Sequence, residues 1–471
     1  LKSEHPWFKS KGYLHFDFSL EKTEAEAYVS NPENILQHRF SPLIHYEKII
    51  RKVQRDKQAE QRYKASREID DKPNLQIKKK SRNLFYTSHV DGYIYSYYAY
   101  ELQKYYENFL TKNGLTSHVI AYRSIVKEKI KFSNIQFSKE VFAFIAETNG
   151  CHILCFDISK FFDRLSVDVL KKKWAQVLGV TKLPDDHFQV YKSLVNFRYV
   201  EERQLIENFR GNFEKNPRQH GLKSGGSRRH RICNYRELRA LERKVADQGN
   251  RLFKEKASLG ITGIPQGTAI SGLLSNIFML DFDVAIKRYV DGVGGLYRRY
   301  SDDICVVVPT TVSFAEVEVY IKQQLEEHCT NSIELNRAKT ERKIYQNIQN
   351  HYIVVDNQNN RPSVVQYLGF YFDGERVFIR NSSISKNRGR IVQHVRHEKR
   401  GRKIKNTVEI FKKYSLRKIT PYDERKHKGF VYYCERAANI HNSKTILAQI
   451  RKNDGFIKRT IIREIIRKSK R

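Results

Sequence analysis

The chain is 471 residues long, enough for about three domains of ~150 residues and for a sizeable core. It carries 87 Lys and Arg against 52 Asp and Glu, a formal net charge of +35, which points to a polyanionic partner, RNA or DNA ahead of a membrane surface or an acidic protein. At 40% hydrophobic residues a wholly disordered chain is excluded, and without an apolar run of 18 residues or a signal-peptide core the expectation is a cytoplasmic protein with no membrane insertion.

Leu1 comes first and Met279 is the only methionine, so the initiator is expected upstream or removed. Residues 1–80 read as an N-terminal extension: aromatic residues (Trp7, Phe8, Tyr13, Phe16, Phe18), then a charged stretch from Arg51 to Lys80 expected to be helical or a linker. From Tyr93 to Leu110 the string YIYSYYAYELQKYYENFL is apolar or aromatic on most faces and predicts a largely buried helix. The short β-rich runs at 151–157 (CHILCFD), 304–308 (ICVVV) and 352–355 (YIVV) predict buried strands. The polar stretch from Glu201 to Lys256 reads as a basic insertion, and its string KNPRQHGLKSGGSRRHR as an exposed loop, either a solvated insertion or a nucleic-acid contact. From Arg376 onward there are 29 Lys and Arg against 7 Asp and Glu, so this segment holds +22 of the +35. Within it TVEIFKKY and GFIKRTIIREIIRK have helical spacing with one apolar face, predicting a small helical domain, 376–471, with a cationic face. The six cysteines, Cys151, Cys155, Cys233, Cys305, Cys329 and Cys434, form no paired C-x-x-C and read as reduced thiols.

Three segments carry the chemistry. In FDISKFFD a strand delivers Asp157 at its end; GIPQGTAIS, from Gly263, opens a helical run; and Tyr300-Ser301-Asp302-Asp303 precedes ICVVV, placing two carboxylates at a strand-turn-strand tip. Adjacent carboxylates repel unless cations intervene, and a third from another strand completes a site for hard ions. Mg²⁺ takes oxygen ligands and shares its remaining positions with substrate phosphates. Two such ions about 3.5–4 Å apart clamp the attacking and leaving oxygens of an in-line phosphoryl transfer. Asp157, Asp302 and Asp303 are the candidate catalytic and metal-binding residues.

The order of these segments resembles the reverse transcriptases: FDISKFFD their first palm motif, GIPQGTAISGLLSNIFM their second, and YSDD their Tyr-x-Asp-Asp signature. Downstream, LNRAKT (335–340) is similar to the motif that brings a lysine to the nucleotide, and YLGF (367–370) to the primer-grip turn. The resemblance implies an α+β right-hand polymerase, with fingers and an antiparallel-sheet palm over 81–375, a basic helical thumb over 376–471, and the extension before them. It implies two Mg²⁺ ions, with Mn²⁺ an admissible substitute, ligated by Asp157 and Asp302, supported by Asp303 and the Ile158 carbonyl. Phe162 would close against a nucleotide 2′-hydroxyl and favour deoxynucleotides. Gln266 would pack on nucleotide and primer-template, with Gly263, Pro265, Gly267 and Tyr300 positioning substrate. Lys339 would neutralise or protonate pyrophosphate, Arg123 and Lys131 would touch the triphosphate, and Tyr367, Leu368 and Gly369 would grip the primer. Asp163 is assigned to structure, as N-cap of the helix after FFD.

SRNLFYTSHVDGYIYSYYAYELQKYY, with YR and SNIQFSKEVFAFI, resembles the defence-associated bacterial group related to retron and abortive-infection enzymes, and HPWFKSKGYLHFDF the second polymerase of a two-polymerase defence system. That implies antiphage activity, dNTPs as substrates, an RNA template or structured noncoding RNA and a DNA product. It also admits a second reverse transcriptase subunit, homo-oligomers and protein priming. The competing readings are an RNA-dependent RNA polymerase, a template-independent nucleotidyltransferase and an inactive RNA-binding scaffold.

Overall fold

The computed structural model describes residues 6–9, 11–55, 75–209, 231–400, 403–416 and 429–467. The protein is mixed α and β and forms two compact units, each assembled from three stretches of chain: Leu1–Thr116, Ile158–Val284 and Gln324–Glu334 in one, Ser117–Asp157, Ala285–Gln323 and Leu335–Arg471 in the other.

The first unit holds a four-stranded sheet in the order Asn83–Tyr86, Leu43–Glu47, Arg198–Glu201, Lys254–Glu255. Its middle pair is parallel, with Leu43 opposite Tyr199 and Ile44 opposite Val200. Successive strand residues point to opposite faces. Accordingly Ile44 and Val200 pack with Leu14, Phe16 and Leu205, while Leu43 and Tyr199 pack with Phe85, Phe197 and Ile261. The helix expected around 93–110 spans His89–Lys112 and buries Tyr93, Ile94, Tyr95, Tyr98, Leu102, Tyr106 and Leu110. Its first amides would be orphaned without caps. The Asp17 carboxylate accepts from the amides of His89 and Val90, both at 2.9 Å, and Ser88 Oγ accepts from Asp91 at 3.2 Å. The aromatic start of the chain is laid on the same helix, with Phe8 stacked on Tyr93 and Trp7 edge-on to Tyr97.

One expectation changes here. The ends of the charged 51–80 stretch are not helical: Ile50–Arg55 and Leu75–Lys80 pair as antiparallel strands, a cross-strand pairing for which a charged run without apolar alternation gives no local signal. Parts of the 201–256 stretch contribute to the core of this unit. Helices Glu202–Asn208 and Tyr235–Asp247 bury Leu205, Leu238, Leu241 and Val245, the second opened by a capping box between Asn234 and Glu237. All but Arg231 of the KNPRQHGLKSGGSRRHR string lies outside the described residues.

The second unit is organised on a five-stranded, fully antiparallel sheet in the order Leu296–Tyr300, Asp303–Pro309, Cys151–Asp157, Glu341–Ile348, His351–Asp356. The three expected strands are its members. Cys151, Ile153, Cys305 and Val307 share one face and one core with Phe142 and Ile145 of helix Asn134–Glu147 and with the three-stranded sheet Val365–Tyr367, Phe370–Phe372, Val377–Ile379. The basic end of the chain folds as helices Asn381–Glu398, Thr407–Tyr414, Phe430–His441 and Lys444–Ile466. Thr407–Tyr414 is the TVEIFKKY string, its Ile410 and Tyr414 packed with Ile391, Val395 and Ile457.

Candidate active site

Asp157 ends the central strand and Asp303 begins its neighbour, and the two are register partners. Antiparallel partners have Cα atoms about 4.5–5.5 Å apart, and like charges so placed destabilise a sheet. Asp303 also faces Tyr300 across the two-residue turn Ser301-Asp302. Burial first, then the carboxylates of Asp302 and Asp157, push the Asp303 carboxyl up to about 6, against the opposing influence of Lys339 and Arg380. The Asp303 residue is exposed at the strand end, and Asp302 and Asp157 beside it are half-buried. Burial, then Tyr122 and Asp303, raise the Tyr300 phenol.

The turn is held from several directions. Ser301 has φ +60°, a conformation that favours glycine. Its carbonyl accepts from the fully buried Arg299 guanidinium at 3.1 Å, and its hydroxyl lies 3.3 Å from Tyr122 Oη. Arg299 is itself tied through its backbone to His118 and Ile120. Arg299 and Tyr122 were not among the residues singled out from sequence, because a basic residue in a strand gives no sign that it will be buried.

Lys339 reaches the carboxylates through a local device. Asn336 donates its amide to the Asp157 carbonyl at 2.8 Å, the chain makes a single turn over Arg337–Lys339, and the Lys339 ammonium then pairs with Asp157 Oδ1. Arg380, absent from the sequence-derived set, supplies a second positive charge felt by Asp303 and Glu341. It is placed by the expected primer-grip turn: its amide donates to the Gly369 carbonyl at 3.0 Å. In that turn Leu368 and Gly369 have φ of +43° and +95°, the paired positive values of a type I′ hairpin. A leucine there is strained, and Asn134 holds it by donating to its carbonyl at 3.0 Å. Tyr367 is buried, its hydroxyl without a hydrogen-bond partner.

Among the described residues no group of three or more His, Cys, Asp and Glu side chains is gathered into a metal cage. What the second unit assembles is Asp157 and Asp303 opposed, Asp302 on the adjoining turn, and Lys339 and Arg380 as counter-charges. Carboxylate oxygens are the donors that Mg²⁺ and Mn²⁺ take, so the donor chemistry fits a hard divalent cation. Arg123 and Lys131 are not part of this cluster: the Arg123 guanidinium is turned onto the Val119 carbonyl, and Lys131 lies exposed on the small hairpin Val126–Lys127, Ile130–Lys131.

The other expected residues lie in the first unit, where FFD and GIPQG are stitched together. The Asp163 carbonyl accepts from the amides of Thr262 and Gly263, and the Phe162 carbonyl from Ile264, at 2.8–3.0 Å. A Cβ on Gly263 would fall 2.2 Å from the Phe162 carbonyl oxygen, so only glycine fits. Gly267, at φ +124°, faces the Phe85 backbone in the same way, and Phe85 donates its amide to the Gln266 carbonyl at 2.9 Å. Pro265 is buried, its carbonyl accepting from Ser271. Ile158 and Phe162 are also buried. Lys256 is a further residue not anticipated: its ammonium donates to the carbonyls of Thr262 and Gly263 at 2.6 and 2.8 Å, and burial lowers its pKa to about 8. Asp163 is not the expected N-cap. It lies inside the short helix Phe161–Arg164, and Ser166 caps helix Val167–Leu178, because the chain needs two more residues to turn.

No protein-family model matches the sequence, and no curated protein matches it. Among solved structures, apo telomerase from Candida Tropicalis aligns with 96% of this chain and 70% of its own, at 11% identity and a TM-score of 0.38. Telomerase from Candida albicans with a fragment of telomeric RNA aligns with 94% and 59%, at 13% and 0.37. The RNA-dependent RNA polymerase of a human picobirnavirus aligns with 82% and 56%, at 11% and 0.37. The chain thus spans between about half and 70% of these proteins, and likenesses of that size establish neither family nor activity for it. Among the described residues no helix is long and apolar enough to cross a membrane.

Proposed function

We propose that the chain is a right-hand nucleic-acid polymerase that transfers deoxynucleotides to a primer 3′-hydroxyl under direction of an RNA template. The observation that carries this reading is the register pairing of Asp157 with Asp303, with Asp302 on the adjoining turn and Lys339 brought to Asp157 by the 336–339 turn. Asp157, Asp302 and Asp303 would hold the divalent cations, Mg²⁺ or Mn²⁺, which when bound activate the hydroxyl and stabilise charge on the phosphoryl group. Two opposed carboxylates with a raised Asp303 pKa form a site whose repulsion a cation relieves. Lys339 is a proton donor or counter-charge for the departing pyrophosphate. Arg380 adds positive charge on the Asp303 side. Phe162, five residues after Asp157, is the candidate that selects the sugar, and Gln266 the candidate that packs on the base pair. The +22 segment from Arg376 onward would contact the nucleic-acid backbone.

The test supplies purified protein and Mg²⁺ with each labelled deoxy- and ribonucleotide on RNA-templated, DNA-templated and template-free primers. Deoxynucleotide incorporation that needs the RNA template is expected; ribonucleotide incorporation, or indifference to template, would favour an RNA polymerase or a terminal transferase. The antiphage role and the noncoding RNA or second-polymerase partner rest on the sequence resemblance. They are tested by phage plating of bacteria expressing the wild type beside the Asp302→Ala, Asp303→Ala variant, and by sequencing RNA that copurifies.

A further inference from the structure

Cys155 and Cys305 lie two rows of the sheet from the Asp157 and Asp303 pair, with Phe156 and Ile304 between them. They are themselves register partners, Cys305 opposite Cys155 as Asp303 is opposite Asp157. Because side chains alternate along a strand, residues two apart share a face, so both thiols lie on the face that carries the two aspartates. All six cysteines are free. Around them are Glu341, the register partner of Cys155 on its other side, and Arg298, the partner of Cys305. Tyr367, whose buried hydroxyl has no hydrogen-bond partner, packs into the same core.

The geometry points to a redox-convertible site: we propose that Cys155 and Cys305 close into a cross-strand disulfide when the folded protein meets a small-molecule disulfide oxidant. The backbone needs no rearrangement, since a disulfide spans Cα separations of about 4.4–6.8 Å and antiparallel partners stand about 4.5–5.5 Å apart. The other thiol of this sheet is excluded by distance. Cys151 is four residues from Cys155 along one strand and lies opposite Pro309, four residues from Cys305. At about 3.3 Å per residue each separation is roughly 13 Å, beyond the ~7 Å limit.

The order of events follows burial. Cys155 retains part of its surface, whereas Cys305 is 1% exposed. The Cys155 thiol loses its proton and attacks one sulfur of the oxidant R–S–S–R, forming a mixed disulfide and releasing one thiolate. Cys305, deprotonated in turn, attacks the Cys155 sulfur and releases the second. Two electrons pass from the cysteines to the oxidant, and the two protons end on the two R–SH products. The bond ties together the strands that bear Asp157 and Asp303, two residues from each carboxylate.

The experiment uses the full chain, folded as judged by circular dichroism, incubated with oxidised glutathione over hours, alkylated and digested without reductant. The expected result is one crosslinked peptide pair joining Cys155 to Cys305, a loss of two alkylatable thiols, and full reversal by dithiothreitol. The Cys305→Ser variant is expected to stop at a glutathione adduct on Cys155. Absence of the 155–305 crosslink in folded wild type, or a crosslink from Cys155 to any other cysteine, would overturn the proposal, as would a Cys305→Ser protein that accumulates no adduct on Cys155. The readout is covalent and independent of nucleotide incorporation, so it stands apart from the polymerase reading.

Discussion

Asp157 and Asp303 face each other as register partners across two antiparallel strands, an arrangement of like charges that a sheet carries only with counter-charges close by. Lys339 and Arg380 supply them, Lys339 through a direct ion pair with Asp157 and Arg380 through its field on Asp303.

Lys339 is expected to act in the chemical step rather than in holding the fold, since its ammonium is 45% exposed and its turn is fixed by backbone hydrogen bonds of Asn336. Lys339→Ala should lower kcat for nucleotide incorporation by about 10²-fold or more, the usual range for loss of a general acid, with KM changed far less. Steady-state kinetics check this, and an unchanged kcat would leave Lys339 as a surface partner of Asp157 only.

The raised Asp303 pKa fixes the sign of a pH effect. With its carboxyl near 6, the group holds its proton to higher pH than an ordinary aspartate, and a neutral carboxyl is a poor cation ligand. Affinity for Mg²⁺ or Mn²⁺ should therefore weaken as pH falls below about 6 and level off above it, measured by calorimetry across pH 5–8. Asp303→Asn should flatten that limb. The same shift means that the native state binds this proton more readily than the unfolded chain, so the Asp303 contribution to stability grows as pH falls from about 6 towards 4.

The proposed function makes Phe162 the candidate for sugar selection. Phe162→Ala should raise ribonucleotide use relative to deoxynucleotide by about tenfold or more, in line with the ~1–3 kcal/mol that small steric differences in a pocket confer. Because Phe162 is 9% exposed, removing the ring also costs core packing, so the ratio of the two kcat/KM values is the informative quantity. A ratio that does not move would return sugar choice to another residue.

Gly263 tests the stitching of FFD to GIPQG. Gly263→Ala drives a Cβ to within 2.2 Å of the Phe162 carbonyl oxygen and 2.8 Å of the Leu165 amide nitrogen, backbone atoms that cannot swing aside. A loss of ~1–3 kcal/mol in urea unfolding is expected, the usual range for overpacking. Gly292→Ala, where a Cβ meets nothing within 4 Å, is the control and should leave stability unchanged or raise it by up to ~1 kcal/mol, since alanine is the better helix former.

The strand-ending Asp157, the turn carrying Asp302 and Asp303, and the lysine of LNRAKT were legible because each depends on local pattern: an apolar run that stops, a polar turn, a motif at fixed spacing. Arg299, Arg380 and Lys256 were not, because their roles arise from tertiary packing that turns ordinary basic residues inward or onto backbone carbonyls. The parallel pairing of Leu43–Glu47 with Arg198–Glu201 joins segments about 150 residues apart, and no local signal encodes such a partner.

The most direct test of the central claim is single-turnover incorporation of a labelled deoxynucleotide with Mg²⁺ by the wild type, Asp157→Asn and the Asp302→Ala, Asp303→Ala variant. Incorporation by the wild type and a loss of at least about 10³-fold in each variant are expected, with circular dichroism unchanged. Undiminished incorporation by the variants, or none by folded wild type supplied with its copurifying nucleic acid, would contradict it.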